Sequence, residues 1–546
     1  MSHVRIADCK LHSSFTPSPP HPVTPSPRHP LTPSPPHPVT PVRRGMVLII
    51  VVVVVAMLSL AGLSFVATMH TENKAVHIQA NQLQLEHVVG SGVEFLKVFF
   101  EQSRESQQAA GGSWDNPDRF SGVLVLDDGE GGRRGRFSVV APRTDGGEAA
   151  GVRFGVEDES ARLNLGVLLQ WESKQAGAAH LALMGLPGMT DAVADAILDW
   201  IDPDDAPRPF GAEAEYYQGL AVPYAPRNGV PQCLEELLLV RGVTRDLLFG
   251  ADANFNHRID PEERRAVESG GAISLREFPW ASLLTVSSAE RNESPDRQPR
   301  IDLNQQDLVA LRRALAAALD GEWADFIVLY RQFGPYEGDE PASTQRTSIS
   351  IRPLPGKVRI ESVLDLVDAT VRVEPEKGKK PLFVASPLVG NPVQMREQLP
   401  RLLDRTTVES GPVIYGRVNV NLAPREVLRA VPGMDPGLVE QVLGARRTAG
   451  RDDAQRRHPT WLLTEGLVDL QRMKDLLPYL TGGGDVVRAQ VIGFFDEPGP
   501  AMRVETVIDA TTNPPRQVYW KDLRLLGRGY PLESLGTTRG KEGIAY

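Results

Sequence analysis

The sequence predicts an α+β fold in which a long N-terminal helix packs on an antiparallel sheet, with a large helical domain inserted into that sheet. Three observations support this prediction. Residues 46–66 contain no charged side chain, and apolar residues at helical spacing continue towards Glu105. Short β-branched runs separated by Gly and Asp then follow, and a matching set of runs stands near the C-terminal end. The intervening residues, 159–480, are mostly helical in pattern.

The overall composition predicts a globular protein of several domains. The 546 residues exceed what one hydrophobic core usually supports, and 41% hydrophobic with 23% charged residues is typical of folded chains. A net charge of −10 disfavours nucleic-acid binding, because that affinity rests largely on Lys and Arg neutralising phosphates. The two cysteines, Cys9 and Cys233, lie on opposite sides of the apolar run and predict no disulfide framework.

The N-terminal residues 1–45 combine a proline-rich repeat with a basic leader. Residues 16–39 contain three copies of an eight-residue pattern of the type TPSPPHPV, and proline at this density predicts an extended, solvated coil. A ligand for an SH3-type domain is the functional alternative, and low complexity without a fold is the favoured interpretation. Arg43 and Arg44 then precede the apolar run and predict a cytoplasmic N-terminus.

Residues 46–105 are predicted to form one continuous helix. Residues 46–66 reach about 30 Å as a helix, which is the thickness of a bilayer core, and no A-x-A cleavage site follows them. The rest of the helix places apolar residues on one face, weakened only by Gly90 and Gly92. The residues of this face are Leu85, Val88, Val89, Phe95, Leu96, Phe99 and Phe100. The pattern therefore predicts a membrane-spanning helix that continues into a folded domain.

A basic leader that ends in Gly45 and runs directly into a long apolar helix resembles the N-terminus of type IV prepilins and type II secretion pseudopilins. This resemblance implies that a prepilin peptidase cuts after Gly45 and methylates the new N-terminal residue, Met46. Most members of that family carry glutamate as the fifth mature residue, whereas this chain has Ile50. In this respect the chain resembles the protein K family of type II secretion systems, which lacks the glutamate. A plain signal anchor is the alternative.

The side chain of Ile50 has a physical consequence for assembly. An unpaired carboxylate within lipid is costly, so the family's glutamate is expected to pair with the N-terminal ammonium of a neighbouring subunit. A subunit with Ile50 cannot offer that carboxylate. Such a subunit suits the end of an assembly better than its middle.

The resemblance to protein K covers nearly all of residues 46–546 and implies a pseudopilin core. In this core, residues 106–158 supply the first part of the sheet, and residues 481–546 supply the strands that complete it. Residues 159–480 form the inserted α-helical domain. Within the last strands, residues 502–508 alternate Met, Val, Thr and Ile with Arg, Glu and Val, which predicts a strand with one largely wet face.

The inserted region contains an internal repeat. The segments ARLNL, PRIDLN and GRVNVN begin at Ala161, Pro299 and Gly416, and each leads into a helical stretch. In the second copy, Asn304 is a predicted N-cap with Asp307 three residues on. Two copies continue as helix–turn–helix segments that resemble the helix-hairpin-helix or SAM-like units of protein K.

Helix-hairpin-helix units raise a competing function, because many bind the DNA backbone through a Gly-h-Gly hairpin. Here the hairpins are Gly188–Thr190 and Gly433–Asp435, and the second glycine is absent from both. Asp435 would repel a phosphate, and the acidic segment DWIDPDD follows the first copy. Protein–protein packing is therefore favoured over DNA binding.

An acidic segment from Leu198 to Tyr217 is the first candidate metal site. It resembles the D-W-I-D-x-D and G-A-E-x-x-Y-Y segments of the protein K family. Carboxylate oxygens without His or Cys suit Ca²⁺ rather than zinc, and the resemblance implies calcium in this domain without assigning ligands. The alternative is that these carboxylates cap helices and form a solvated face, and the sequence does not favour either interpretation over the other. The candidate ligands are Asp202, Asp204, Asp205, Glu213 and Glu215.

The segment DANFNHRIDPEE, residues 252–263, is the second candidate and follows the EF-hand pattern. That loop needs oxygen ligands at positions 1, 3, 5, 7, 9 and 12, with an apolar residue at position 8, which Ile259 supplies. His257 stands where glycine normally takes a positive φ, a conformation that His can adopt at some cost. We expect an isolated, structural calcium loop of modest affinity. Its ligands would be Asp252, Asn254, Asn256, the Arg258 carbonyl, Asp260 and Glu263.

The motifs of common enzymes are missing from the sequence: it has no nucleophile elbow, H-E-x-x-H, P-loop or dinucleotide fingerprint, and no enzyme is predicted. The resemblance to protein K implies a minor pseudopilin that caps the tip of the type II secretion pseudopilus and supports export across the outer membrane. It implies a single-pass inner-membrane protein with a cytoplasmic N-terminus and a periplasmic body. The expected partners are the minor pseudopilins called proteins I and J, the inner-membrane assembly platform and the prepilin peptidase, with no nucleic acid. The alternatives are a minor pilin of a type IV pilus or DNA-uptake machine, and a membrane-anchored helix-hairpin-helix DNA receptor.

Overall fold

The structure, a computed structural model, describes residues 44–127, 129, 134–143, 152–270, 278–338, 355–374, 381–448 and 454–536. The proline-rich repeat that is predicted to be a coil, residues 16–39, lies outside the described residues. The chain divides into two units, Met1–Ala75 and Val76–Tyr546.

The described residues form seventeen α-helices, numbered in chain order. They are α1 (Arg44–Glu101), α2 (Arg104–Ala109), α3 (Pro117–Phe120), α4 (Leu168–Lys174), α5 (Ala178–Met184), α6 (Asp191–Ile201), α7 (Ala214–Gln218), α8 (Arg245–Phe249), α9 (Pro261–Gly270), α10 (Trp280–Leu283), α11 (Leu308–Ala318), α12 (Gly321–Phe333), α13 (Pro392–Arg405), α14 (Arg425–Ala430), α15 (Pro436–Thr448), α16 (Trp461–Thr464) and α17 (Leu470–Leu476).

The described residues also form seventeen strands, most of them short. They are β1 (Val123–Leu126), β2 (Gly135–Pro142), β3 (Val152–Phe154), β4 (Glu157–Asp158), β5 (Leu163–Asn164), β6 (Leu284–Thr285), β7 (Ala289–Arg291), β8 (Ile301–Asp302), β9 (Thr370–Val373), β10 (Leu382–Ala385), β11 (Thr406–Thr407), β12 (Val413–Tyr415), β13 (Val418–Asn419), β14 (Leu480–Thr481), β15 (Val486–Phe495), β16 (Ala501–Asp509) and β17 (Arg516–Asp522).

Helix α1 contains the predicted membrane span, and it ends at Glu101 rather than at the predicted Glu105. In the first unit, every side chain from Val47 to Ala75 is exposed. Among the described residues, this is the one helix long and apolar enough to cross a membrane. In the second unit, the predicted apolar face is buried from Leu85 onward, with Phe95 half-buried.

The C-terminal end of α1 is held by the inserted region. Arg297 Nη2 donates hydrogen bonds to the carbonyl oxygens of the three consecutive residues Phe100–Gln102, at 3.0, 2.7 and 2.7 Å. The last carbonyl groups of a helix lack partners within the helix and carry partial negative charge, so a cation there is favourable. Arg297 therefore fixes the end of α1 against the insertion.

The main sheet is antiparallel, with strand order β1-β2-β15-β16-β17, and β3 and β4 pair with β2 and β15. Strands from before and after the insertion thus meet at β2 and β15, where Val491 stands opposite Val139. Helix α1 packs closely on these strands at Gly92, where an added Cβ would lie 2.7 Å from Val491 Cγ1 and 3.0 Å from the Phe137 ring. The predicted combination of an N-terminal helix with an antiparallel sheet is confirmed.

The prediction of one wet face for residues 502–508 is wrong. Every residue of β16 after Ala501 is buried, including Arg503 and Glu505. The reason is that the inserted region and a neighbouring strand cover the face expected to contact water. Arg503 Nη1 donates to the Phe255 carbonyl at 3.0 Å, and Glu505 accepts from Arg488 Nη1 at 2.7 Å.

Two large apolar cores are present, one within the insertion from Leu163 to Leu480 and one between α1 and the sheet. Buried ionic groups connect them. Glu159, which is fully buried, accepts from Arg488 Nε on β15 at 2.6 Å and from the Thr285 hydroxyl in the insertion. Burial opposes ionisation of this carboxyl, and the nearby guanidinium groups of Arg488 and Arg162 lower the pKa of Glu159 to about 2.

Each repeat segment of the insertion begins with a two-residue strand in a parallel pair, namely β5 with β6, β8 with β11 and β13 with β14. The predicted N-cap Asn304 is wrong, because a turn separates β8 from α11. Asp307 caps α11 instead and accepts from the backbone N–H of Val309 and of Ala310, both at 3.0 Å. Asn304 bonds the backbone N–H and carbonyl of Ile360, both at 2.9 Å.

Candidate metal centre

Helix α6 places buried carboxylates at the start of the acidic segment. Thr190 caps the helix by accepting from the Val193 N–H at 3.4 Å, and the apolar residues of α6 pack into the core of the insertion. Asp195 and Asp199 are four residues apart and lie on one face of this helix. They are 6% and 0% exposed, and Asp202, directly after the helix, is 5% exposed.

The loop after α6 folds back over these carboxylates. The Arg208 N–H donates to both oxygens of Asp199 at 3.3 Å, and the Phe210 N–H donates to Asp195 Oδ2 at 3.1 Å. The Arg208 side chain bonds Asp199 Oδ1 through Nη1 at 2.8 Å and also contacts Asp202 Oδ2. Gly211 approaches so closely that an added Cβ would collide with the Asp199 carboxylate.

This folding brings Asp202, Asp204 and Glu213 together, with one oxygen of each within 4.8 Å of the others. Glu213 is only 4% exposed, yet among the described residues neither of its carboxylate oxygens has a hydrogen-bond donor. Asp202 Oδ1 is also buried and has no donor within the ranges that the structure describes. Asp204 is exposed and accepts from the Ala206 N–H at 2.9 Å. Two buried carboxylates with unpaired oxygens and one exposed carboxylate form a donor set that suits a hard divalent cation such as Ca²⁺.

The pKa shifts of Glu213 and Asp202 also favour a bound cation. Burial, reinforced by the neighbouring carboxylates Asp199 and Asp202, raises the pKa of Glu213 to about 7. Burial also raises the pKa of Asp202, although its bond to Arg208 opposes this. The group therefore carries more negative charge than its protein partners neutralise, which a bound cation would relieve.

Two predicted ligands of this segment lie elsewhere. Asp205 Oδ1 accepts from Asn228 Nδ2 at 2.9 Å, and Glu215 is exposed on α7. Sequence reasoning missed Arg208 and Asn228, which is joined to the segment by a second bond to the Asp204 carbonyl at 3.2 Å. Arg208 could have been noticed as a lone basic residue within an acidic run, whereas the approach of Asn228 depends on tertiary folding.

The predicted EF-hand loop at residues 252–263 has the expected turn at its sixth position. His257 has φ 59°, the left-handed conformation expected where the motif has glycine, and Phe255 has φ 56°. Asp252 accepts from the N–H groups of Asn256 at 3.1 Å and His257 at 2.8 Å. Its carboxylate is thereby turned into the loop, and burial raises the pKa of Asp252.

Glu263 and Asp260 also accept hydrogen bonds within this loop. Glu263 accepts from the N–H groups of Ala253 and Asp260, both at 2.9 Å. Asp260 Oδ2 accepts from Asn254 Nδ2 at 2.8 Å and Asn256 Nδ2 at 3.0 Å. Calcium ligation therefore requires both asparagine amides to turn their carbonyl oxygens towards the ion. Arg258, the predicted seventh-position residue, donates its N–H to Asn256 Oδ1 at 2.8 Å.

The outer side of the loop contacts the sheet. Besides Arg503, Gln490 donates through Nε2 to the Phe255 carbonyl at 2.7 Å, and Asn256 donates to the Gly529 carbonyl at 3.2 Å. Lys521 Nζ lies 4.0 Å from the centre of the Phe255 ring, within cation–π range. The loop thus stands at the junction between the insertion and the sheet.

The two predicted hairpins have helix–turn–helix geometry. Gly188 (φ 68°) lies between α5 and α6, and Gly433 (φ 85°) lies between α14 and α15. Asp435 accepts from the Leu438 N–H at 3.0 Å and from Arg472 at 3.0 Å. This carboxylate stands at the helix N-terminus where a DNA phosphate would have to bind, so the second hairpin does not favour a phosphate contact.

The predicted processing residues, Gly45 and Met46, lie in the first turn of α1. Their backbone is helical, since α1 begins at Arg44. Cleavage and methylation stay predictions.

Comparison with known proteins bears on residues 161–249, which match the family model described as type II secretion system (T2SS), protein K. This segment is therefore similar to the protein K family. It contains α5, α6 and the carboxylates Asp202, Asp204 and Glu213, and the predicted resemblance to protein K is confirmed.

A solved structure is also similar to the chain. It is the crystal structure of the GspK-GspI-GspJ complex from the enterotoxigenic Escherichia coli type 2 secretion system. The similarity covers 83% of this chain and 99% of that chain, at 11% sequence identity and a TM-score of 0.31. A search of the curated proteins gives no match to the chain.

Proposed function

We propose that the chain is a minor pseudopilin that caps the tip of the type II secretion pseudopilus and supports protein export across the outer membrane. The observation that carries this proposal is the protein K match at residues 161–249, in a chain that also has a long apolar N-terminal helix. Protein K is a structural component, and we propose no catalytic role.

The apolar helix supports the membrane and assembly parts of the proposal. The exposed apolar side chains from Val47 to Val66 would contact lipid before assembly and partner helices within the fibre. Ile50 leaves this subunit without a carboxylate for a neighbour's N-terminal ammonium. The large insertion between β4 and β15 would obstruct regular stacking, which also favours the end of the fibre.

The proposed partners are the minor pseudopilins called proteins I and J, the inner-membrane assembly platform and the prepilin peptidase. The proposed location is the inner membrane, with the N-terminus cytoplasmic and the body periplasmic, because Arg43 and Arg44 precede the span. Peptidase cleavage between Gly45 and Met46 would leave α1 almost intact.

Mass spectrometry of the mature N-terminus tests the processing step. We expect N-methylated Met46 in the wild type and an uncut leader in Gly45→Val, because the substitution replaces the glycine after which the peptidase is proposed to cut. Gly62→Val is the matched control, since a Cβ at Gly62 meets nothing within 4 Å. A wild-type chain that retains its leader, or is cut elsewhere, contradicts the pseudopilin proposal.

Co-purification tests the assembly step. The tagged full chain, extracted in detergent from cells that express the secretion system, should bring down two small pseudopilins. Recovery of the chain alone would favour the stand-alone anchor. Binding of duplex DNA by the same preparation at low salt would instead favour the DNA-receptor alternative.

We further propose that Ca²⁺ binds as a structural ion. Asp202, Asp204 and Glu213 would hold it at the first site, and the predicted ligands of the loop at residues 252–263 would hold it at the second. At the first site the ion would tie the loop after α6 to the end of that helix. At the second it would stabilise the turn that contacts the sheet.

Calcium should stabilise the fold, which thermal unfolding measures. At about 100 times Kd the stabilisation should be about 2.7 kcal/mol per site.

Calorimetric titration of the full chain in detergent tests both calcium sites. Asp204→Ala should remove the heat of the first site, and Asp252→Ala that of the second. Glu497→Ala, an exposed carboxylate outside both sites, is the control. Absence of calcium heat in the wild type would reject both sites.

A further inference from the structure

Arg208 is the cation that the protein itself supplies to the first candidate metal site. Within the described part of the chain, the ion pairs of the buried Asp199 and Asp202 are both formed with this one side chain. It reaches the two carboxylates through Nη1 and is itself only partly exposed. Four further carboxylates belong to the same segment. They are Asp204, Asp205, Glu213 and Glu215.

Arg208 donates hydrogen bonds to only one side of the site. The open side is the one formed by Asp202 Oδ1 and the two oxygens of Glu213, which accept no hydrogen bond from Arg208. Arg208 bonds Asp202 Oδ2, whereas in the part of the chain that the structure describes Asp202 Oδ1 and both oxygens of Glu213 are buried without hydrogen-bond donors. A divalent ion on the open side would share the Asp202 carboxylate with the guanidinium. Because like charges held by the same carboxylate repel each other, the two cations oppose each other's binding.

We propose that Arg208 is an internal counter-cation that allows this segment to fold without metal and weakens calcium binding at Asp202, Asp204 and Glu213. This inference rests on the proposed calcium site. In the metal-free chain, Arg208 neutralises part of the buried charge. When calcium is abundant, the ion neutralises the remainder, so the site responds to calcium at high concentration and is not required to be filled for folding.

The proposal predicts opposite effects on metal-free stability and on calcium affinity. In Arg208→Gln, the unfolding temperature without calcium should fall, because Asp199 and Asp202 lose their ion pair. The same substitution should tighten calcium binding about tenfold, since one repelling charge is removed, and should enlarge the calcium-induced rise in unfolding temperature. If Arg208 only supported the loop, Arg208→Gln would lower both the unfolding temperature without calcium and the affinity for calcium.

Arg208→Lys separates charge from hydrogen-bond geometry. It keeps the positive charge and loses the guanidinium, so its calcium affinity should stay within about twofold of the wild type. Arg312→Gln is the matched control, because it removes the same charge from an exposed pair with Asp325, 2.6 Å away on α12. Its calcium affinity should not change.

The measurement is calcium titration and thermal unfolding of the full chain in detergent, in an Asp252→Ala background that silences the loop at residues 252–263. Tighter calcium binding by Arg208→Gln, or folding of that variant only with calcium, supports the proposal. Weaker binding, equal affinities for Arg208→Gln and Arg208→Lys, or failure of Arg208→Gln to fold with or without calcium overturns it. A wild-type site that binds no calcium, with Asp204→Ala behaving identically, rejects the proposed metal site itself.

Discussion

At the scale of single residues, Glu213 shows how burial makes the charged form of a carboxylate energetically unfavourable. Its carboxylate follows the loop that folds over α6 and lies among Asp199, Asp202 and Asp204, with no hydrogen-bond donor from the described ranges of the chain. The charged form therefore loses hydration and gains repulsion at the same time. A proton or a metal ion removes both costs.

The first prediction concerns pH. The pKa of Glu213 is raised from 4.5 to about 7 in the folded chain, so its contribution to stability is complete below about pH 4.5 and is lost as the pH rises through 7. Without calcium, the unfolding temperature should fall between pH 5 and 8. Glu213→Gln should flatten this dependence, whereas Glu215→Gln, an exposed neighbour on α7, should preserve it. Equal slopes for wild type and Glu213→Gln would contradict the assignment.

The second prediction concerns Glu159, whose pKa is lowered to about 2. Its contribution to stability is present above about pH 4.5 and is lost as the pH falls towards 2. Glu159→Gln leaves Arg488 buried with one carboxylate fewer and should cost about 3–5 kcal/mol in the free energy of unfolding. Denaturant unfolding measures this loss. The exposed Glu497→Gln should stay within about 0.5 kcal/mol, and a similarly small loss for Glu159→Gln would rule out a buried ionic connection.

At the scale of elements, α1 contains two glycines in nearly identical local sequence that face different surroundings. A Cβ at Gly90 meets nothing within 4 Å, whereas a Cβ at Gly92 meets Val491 and Phe137 at 2.7 and 3.0 Å. Alanine favours a helix over glycine by about 1 kcal/mol wherever space allows.

The third prediction follows from this difference. Gly90→Ala should stabilise the fold by up to about 1 kcal/mol, and Gly92→Ala should destabilise it by about 1–3 kcal/mol, because the helix must move away from the sheet. Thermal unfolding of the two variants measures both effects. Equal shifts would mean that α1 does not pack on β2 and β15 at this point.

The strand β16 shows where element-level patterns stop being informative. Alternation of apolar and polar residues at 502–508 is typical of a strand with one face in water. Here the polar face is buried because Arg503 bonds the loop at residues 252–263 and Glu505 bonds Arg488. A polar residue in a strand indicates a need for partners, which protein groups can satisfy as well as water can.

At the scale of the whole molecule, α1 is the one helix in the described residues that is long and apolar enough to cross a membrane. The fourth prediction is that Val54→Arg reduces membrane insertion, since a central arginine costs about 2.5–3.5 kcal/mol. The fraction that resists carbonate extraction from membranes measures this effect. Val54→Leu should behave like the wild type. If Val54→Arg is retained equally, the helix is held by protein partners rather than by lipid.

The elements themselves could be predicted from local pattern. The apolar face of α1 and the two sets of strands depend on spacing within a few residues, and both are found where the spacing indicates. The candidate site was predictable only in outline. Charge density marked the segment from Leu198 to Tyr217, but spacing alone could not separate Asp204, which joins the group, from Asp205, which bonds Asn228.

By itself, the sequence determined that the chain has a long apolar helix, a sheet formed from two distant sets of strands, and acidic segments with oxygen ligands only. These features depend on the chemistry and spacing of neighbouring residues. Only the tertiary structure decided that Glu213 meets Asp202 and Asp204, that Arg208 neutralises one side of them, and that the polar face of β16 is buried. Those outcomes depend on which distant segments pack together, because burial and charge pairing arise between elements and not within them.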